Sequence, residues 1–333
     1  MGDDVAAEPG RDPRWRRWRG PLQWLLTAAV VAFILFRIDP REAWEVVRET
    51  RPQWAAAGVA LLVASDTVHV AKWQVLLRGV GVARFRDLFA VFWSSMATNN
   101  VLPFRAGDVY RVQALGTRSG LSRAGIVATL LTERVLDAVS FLLLVLIALA
   151  LVASSSARDY SLGLLLGLVT MLTLGAAIAI ARTDPDTPVE ERRVLGRLPA
   201  RTHAAVGRFL PAFVRGMRPL GELRAGSLAA AWAFGAWLLE AMAFWAFGQA
   251  FGLEVGFATY LLLMVAVNMA SSLTVLPANL GVFELASIEI LRAAGATPGE
   301  ATAYAVGSHA LVFLTISAVG IGSLGYLRAS RGP

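Results

Sequence analysis

The sequence predicts an all-α fold: a polytopic bundle of transmembrane helices with about six full spans and two re-entrant or broken hairpins related by an inverted internal repeat. Three observations carry this. The 333 residues are 56% hydrophobic and only 17% charged, where soluble domains carry about 25% charge, and the mean hydropathy is +0.58. The apolar residues gather in blocks of roughly 20, the length that crosses a bilayer as a helix. A Leu-Pro-x-x-x-Gly string also follows an apolar helix twice, 174 residues apart.

These features exclude a cytosolic enzyme, a nucleic-acid-binding domain and a disordered chain. The net charge is +7, and every basic residue among the 31 except Lys72 is an arginine. The arginines flank apolar spans, so they read as topology signals and contacts with anionic lipid headgroups, and no nucleic acid is expected as a partner. There is no cysteine, which removes disulfides, thiolate nucleophiles and cysteine metal sites. His69, His203 and His309 stand far apart with no metal-binding spacing, so neither metal nor cofactor is expected.

Taken in order, the expected full spans are 21–38, 53–77, 122–152, 159–181, 226–251 and 301–327. Arg14, Arg16, Arg17 and Arg19 precede the first, as in a signal peptide, but the run ends in Phe36-Arg37-Ile38-Asp39-Pro40 without a small-residue cleavage site. It is expected to stay as an uncleaved helix. Segment 39–52 balances its arginines with Asp39, Glu42, Glu45 and Glu49 and reads as an interfacial helix. Apolar stretches 87–103 and 257–276 end at Pro103 and Pro277. Arginines concentrate in 1–20, 78–123 and 182–225, which puts both termini on the cytoplasmic side of the cell membrane. Trp15, Trp18, Trp24, Trp54 and Trp73 fall near span ends, as an interfacial belt does.

The expected organisation is a cytoplasmic tail 1–20, one transmembrane domain 21–328, and a short tail 329–333 with no soluble domain after it. The repeat halves are roughly 53–181 and 226–328, joined by a cytoplasmic loop 182–225. That loop is Arg-rich, with Pro185, Pro188, Pro199, Pro211 and Pro219 as turn residues, and is too short for a catalytic domain. Its Asp184-Pro185-Asp186 matches a glycosyltransferase DxD, but without a nucleotide-binding fold around it a solvated turn is expected.

The repeat pairs Asn99-Asn100-Val101-Leu102-Pro103-Phe104-Arg105-Ala106-Gly107-Asp108 with Leu273-Thr274-Val275-Leu276-Pro277-Ala278-Asn279-Leu280-Gly281. In each copy a short helix follows, then a turn (Gly120-Leu121-Ser122; Gly295-Ala296-Thr297), then a long apolar helix. Thr297-Pro298-Gly299-Glu300 is a capping box, and Ser122 is the matching N-cap. Proline cannot donate a backbone hydrogen bond and glycine weakens helical order, so each string should break a helix at membrane depth. Such breaks persist in a bilayer only when buried in protein or lining a wet cavity. Two in corresponding places of two halves point to a transporter substrate site, the alternative being a pair of structural kinks.

Charges within the spans sharpen the site. Glu133, Arg134 and Asp137 lie on the helix starting at Ser122, with Arg134 roughly 18 Å along it, near mid-bilayer. They form either a substrate path or a structural triad in which both acids neutralise Arg134. Arg105, Asp108 and Arg111 make a polar stripe on the first return helix. Glu284 follows Gly281 by three, as a partner or a second anionic wall. Asp66 and His69 suit a proton relay or, more simply, a satisfied interhelical hydrogen bond. Glu240 is expected to bond to a neighbouring helix, and His309 to be a packed histidine alone on the last span.

These motifs resemble the transmembrane, flippase-like region of the lysylphosphatidylglycerol synthase family over roughly residues 20–328. The likeness rests on Asn100, Leu102-Pro103, Gly107-Asp108, Arg111, Glu133-Arg134-Val135-Leu136-Asp137, and then Pro277, Gly281 and Glu284. Asp108 stands where the family has Glu, Asn279-Leu280 thin out the glycine-rich turn, and His309 falls where relatives carry a basic residue. The resemblance implies lipid handling by the membrane part alone, without the soluble aminoacyl-transfer domain. The expected function is movement of a polar-headed phospho- or isoprenoid lipid between leaflets, with no catalytic residues. The substrate set is Asn100, Pro103, Arg105, Gly107, Asp108, Arg111, Glu133, Arg134, Asp137, Pro277, Gly281 and Glu284. The alternatives are an intramembrane transferase acting on polyprenyl-phosphate or phospholipid, and a membrane partner of a separate lipid synthase. A homo-oligomer is also compatible with the sequence.

Overall fold

The computed structural model describes residues 50–152, 200–273 and 276–330, with isolated positions at 175, 179 and 182. The expected span 21–38, nearly all of 159–181, the interfacial segment before residue 50, the Asp184-Pro185-Asp186 turn, and Trp15, Trp18 and Trp24 lie outside the described residues. The described residues form helices α1 (Pro52–Leu77), α2 (Phe85–Val101), α3 (Ala106–Ser119), α4 (Arg123–Val152) and α5 (Ala200–Gly221). The described residues continue through α6 (Leu223–Ala250), α7 (Phe257–Leu273), α8 (Val282–Ala293) and α9 (Pro298–Ala329), with a 3₁₀ turn at Pro277–Asn279. Four of them, α1, α4, α6 and α9, are long and apolar enough to cross a membrane. The protein is a helical, polytopic membrane protein.

An offset of 174 residues carries α1 onto α6, α2 onto α7, α3 onto α8 and α4 onto α9. The packing is reciprocal. Helices α1 and α6 pack on each other, α9 lies against α2 as α4 lies against α7, and α4 meets α6 as α9 meets α1. Such exchanged contacts are what a two-fold relation between halves produces. Each half has its own apolar core, completed by the long helix of the other. Around the first hairpin, Trp73, Leu88, Trp93, Leu115 and Ile126 are joined by Ile316 and Leu327 of α9. Around the second, Phe244, Phe247, Tyr260, Phe283 and Tyr304 are joined by Leu144 and Ala148 of α4.

Both Leu-Pro-x-x-x-Gly strings break a helix. Leu102, restricted by the proline after it, leaves helical space (φ −104°, ψ 139°) and ends α2. Phe104 (φ 58°) and Arg105 (φ 50°) are then left-handed. In the second copy Leu276 is extended, and Ala278 (φ 51°) and Asn279 (φ 57°) are left-handed at the same two places after the proline. A left-handed residue with a Cβ costs about 1–2 kcal/mol, so both breaks need anchoring. The later turns follow the sequence: Gly120 (φ 68°) closes α3, the Gly125 N–H donates to Ser122 Oγ (3.4 Å), and Thr297 and Glu300 cap α9 reciprocally.

Two expectations are corrected here. Pro211 and Pro219 do not make turns; both lie inside α5. Although proline removes a helical hydrogen bond, α5 packs Phe213, Met217 and Leu220 against Ala128 and Val135 of α4, and that burial holds the helix. Trp73 is not in an interfacial belt. It is fully buried, with its indole N–H donated to Thr129 Oγ1 at 3.1 Å. Trp54 is partly buried, edge-on to Trp245 at 5.2 Å.

Candidate functional site

A cavity of about 170 Å³ lies among the two hairpins and the helices that flank them. Every repeat helix contributes to its wall, as do both breaks, through Arg105 and Asn279. These two residues occupy equivalent positions in the repeat and are both left-handed, so the strained backbone turns matching side chains toward one space. The volume is below the roughly 300–1,000 Å³ of sites that enclose a drug-sized ligand. It suits a small polar group and not a lipid's chains.

Charged side chains dominate one side of the wall. Arg111 of α3 forks onto Glu133 of α4, with Nη1 to Oε2 at 3.0 Å and Nη2 to Oε1 at 3.3 Å, and both side chains are buried. The guanidinium also lies 3.7 Å from the centroid of the Trp73 ring. Lys72 Nζ of α1 donates to Asp137 Oδ1 of α4 at 2.8 Å, and the Trp237 indole N–H of α6 donates to the same oxygen at 2.9 Å. The alternative of a structural triad, with Glu133 and Asp137 neutralising Arg134, is therefore not what forms. Glu133 is held by Arg111 and Asp137 by Lys72, because neighbouring helices bring closer donors. Arg134 keeps only long contacts, 4.0 Å to Asp108 and 3.9 Å to Asp137, and its side chain is 48% exposed. Arg105 Nε donates to Asp108 Oδ2 at 3.1 Å, both half-buried.

Of the predicted set, Arg105, Asp108, Arg111, Glu133, Arg134 and Asp137 line the cavity, while Asn100, Pro103, Gly107, Pro277, Gly281 and Glu284 do not. Asn100 instead donates to Phe313 O and Ser317 Oγ of α9. Gly107 donates its N–H to Asn99 Oδ1 at 2.7 Å, and a β-carbon there would overlap the Ser95 carbonyl oxygen. Pro277 is buried at the second break. Gly281 donates its N–H to Glu284 Oε2 at 2.7 Å, with φ 81°.

His309 is the packed histidine expected on the last span, and its partners come from other elements. Nδ1 lies 2.7 Å from Glu284 Oε1, Nε2 lies 2.9 Å from the Ala278 carbonyl oxygen, and the ring stacks on Phe283 at 4.4 Å. The histidine thus ties the left-handed Ala278 to the first turn of α8. Asp66 is not the satisfied hydrogen-bonding group expected, since among the described residues its buried Oδ2 has no partner. Glu240 does bond to a neighbouring helix, accepting from Asn268 Nδ2 of α7 at 2.8 Å. Reasoning from sequence missed Lys72, Trp237 and Asn268. A lone lysine and an amide inside apolar helices were the available signals for two of them; Trp237 gave none.

The fold and cavity define a class: a polytopic helical membrane protein built from two broken-hairpin halves around a shared charged cavity. The chain belongs to the lysylphosphatidylglycerol synthase transmembrane region family, whose sequence profile matches residues 22–320. It is similar to a UPF0104 membrane protein of Methanothermobacter thermautotrophicus, with 23% identity over 330 residues covering 94% of this chain and 96% of the relative. No solved structure matches it.

Proposed function

We propose that this protein moves a polar-headed phospho- or isoprenoid lipid between the leaflets of the cytoplasmic membrane, with both termini cytoplasmic. The observation that carries this reading is Arg134. Lys72 and Arg111 are buried and locked in short ion pairs, whereas Arg134 stands half-exposed in the same cavity with contacts no shorter than 3.9 Å. A cation held loosely at membrane depth is suited to a phosphate that comes and goes. Arg105, half-buried beside it on Asp108, supplies a second donor set. The headgroup occupies the cavity while the chains remain in the bilayer. In this reading the protein is a carrier and not an enzyme, and its partners are the lipid substrate and anionic headgroups.

The test is leaflet exchange of a headgroup-labelled phospholipid in proteoliposomes. Wild type exchanges the lipid and Arg134→Ala loses most of that rate; equal rates for the two would sink the reading. Lipid mass spectrometry of a deletion strain separates transport from transferase chemistry. An unchanged inventory with altered leaflet exposure favours transport, and a vanished product favours an enzyme.

A further inference from the structure

Asp66 on α1 and Glu240 on α6 stand 174 residues apart, the offset of the repeat, and so occupy equivalent positions of the two halves. The first-half charges Arg111, Glu133, Arg134 and Asp137 have Leu285, Gly307, Ser308 and Leu311 at the corresponding places. The carboxylate on the first helix of each half is duplicated where those charges are not. Helices α1 and α6 pack on each other across the relation between the halves, and both carboxylates line the cavity. Asp66 is 6% exposed and lines the cavity, and its buried Oδ2 has no hydrogen-bond partner among the described residues.

Among the described residues, no cation of the cavity wall pairs with either acid. Lys72 of α1 is paired to Asp137 of α4, Arg111 of α3 to Glu133 of α4, and Arg105 to Asp108. Arg134 of α4 has Asp108 and Asp137 as its nearest carboxylates. On α1, His69 sets its ring against Trp237 at 4.7 Å. On α7, Asn268 gives Glu240 an amide N–H and no charge. A buried and a half-buried carboxylate with no cation paired to them among the described residues are costly unless something positive joins them. An all-oxygen donor set of this kind suits a hard, small cation.

We propose that Asp66 and Glu240 together seat an exchangeable monovalent cation, a proton or a sodium ion, whose movement is coupled to that of the lipid. The coupling rests on the transport reading above; the cation seat does not. Half-helix ends and unwound backbone beside such a seat are how broken-helix transporters bring ion and substrate to one place, and here both breaks open onto the cavity that the two acids line.

Carbodiimide labelling of the purified full-length protein, read by peptide mass spectrometry, tests the seat directly. Labelling of Asp66 or Glu240 is expected. A decline with rising pH that sodium leaves unchanged identifies the proton, and protection by sodium at fixed pH identifies sodium. No labelling of either residue at any pH overturns the proposal. So does protection by an ethanolamine-headed lipid with no response to pH or sodium, which would give the pair to the headgroup. Asp66→Asn and Glu240→Gln locate the adduct, and the wild-type result stands if either variant fails to fold. In proteoliposomes, a tenfold gradient of the identified cation should shift the lipid's leaflet distribution by up to about tenfold for one cation per lipid. Lipid that exchanges without any such shift removes the coupling and leaves transport standing. Labelling without any lipid movement removes transport and leaves the cation seat.

Discussion

The two hairpins share a backbone and differ in how they hold it. In both, the leucine before the proline is extended, two non-glycine residues turn left-handed, and the N–H of the following glycine is capped by a side-chain oxygen at 2.7 Å. In the first hairpin that oxygen belongs to Asn99 of the preceding helix, and the break is surrounded by ion pairs. In the second it belongs to Glu284 of the following helix, which His309 braces from α9. The first hairpin thus carries the arginines that can meet a headgroup, and the second carries a hydrogen-bonded scaffold. Strain at a break persists only where its surroundings over-determine it, and two unrelated sets of side chains satisfy that condition here.

Substitutions test this difference, and the largest effect should come from the charged half. Lys72→Met leaves the buried Asp137 with the Trp237 N–H and only the long 3.9 Å contact to Arg134, and should cost about 3–5 kcal/mol in unfolding measured in detergent. Adding Asp137→Leu should recover most of it; no recovery would mean that the pair is not the unit. Next, Gly107→Ala should cost about 2–4 kcal/mol, because a β-carbon meets the Ser95 carbonyl and displaces Asn99. Its counterpart Gly281→Ala has open space around it and should lose only the left-handed preference, about 1–2 kcal/mol. A reversed order of the two would break the account of how each hairpin is held.

For the scaffold half, Glu284→Ala frees both the Gly281 N–H and His309 and should cost about 1–3 kcal/mol, with hydrogen exchange rising at 276–284 and not at 102–108. Smallest of all, Arg134→Ala should change stability by no more than about 0.5 kcal/mol, since its side chain is 48% exposed and its ion pairs are long. Loss of lipid exchange with that stability intact would separate Arg134 from the structural charges around it.

The positions of the breaks were legible because proline and glycine act on their own stretch of backbone. Leu102 before Pro103 and Leu276 before Pro277 are extended whatever surrounds them, and Thr297 with Glu300 caps α9 from four consecutive residues. The four long apolar helices were legible for the same reason, since length and composition are local quantities. Local rules misled where tertiary burial prevailed, as at Pro211 and Pro219 inside α5 and at Trp73 in the core.

Which charges meet was settled by packing. Glu133 and Asp137 share a face with Arg134 in sequence, yet Arg111 and Lys72 reach them from other helices at 3.0 and 2.8 Å. His309 meets Glu284, and Glu240 meets Asn268, by the same route. The sequence by itself determined an apolar, duplicated chain with two broken helices, because sterics and hydrophobicity are written residue by residue. Only the tertiary structure decided that Arg134 stays loosely held while its neighbours are locked, because an ion pair depends on where two helices from different parts of the chain come together.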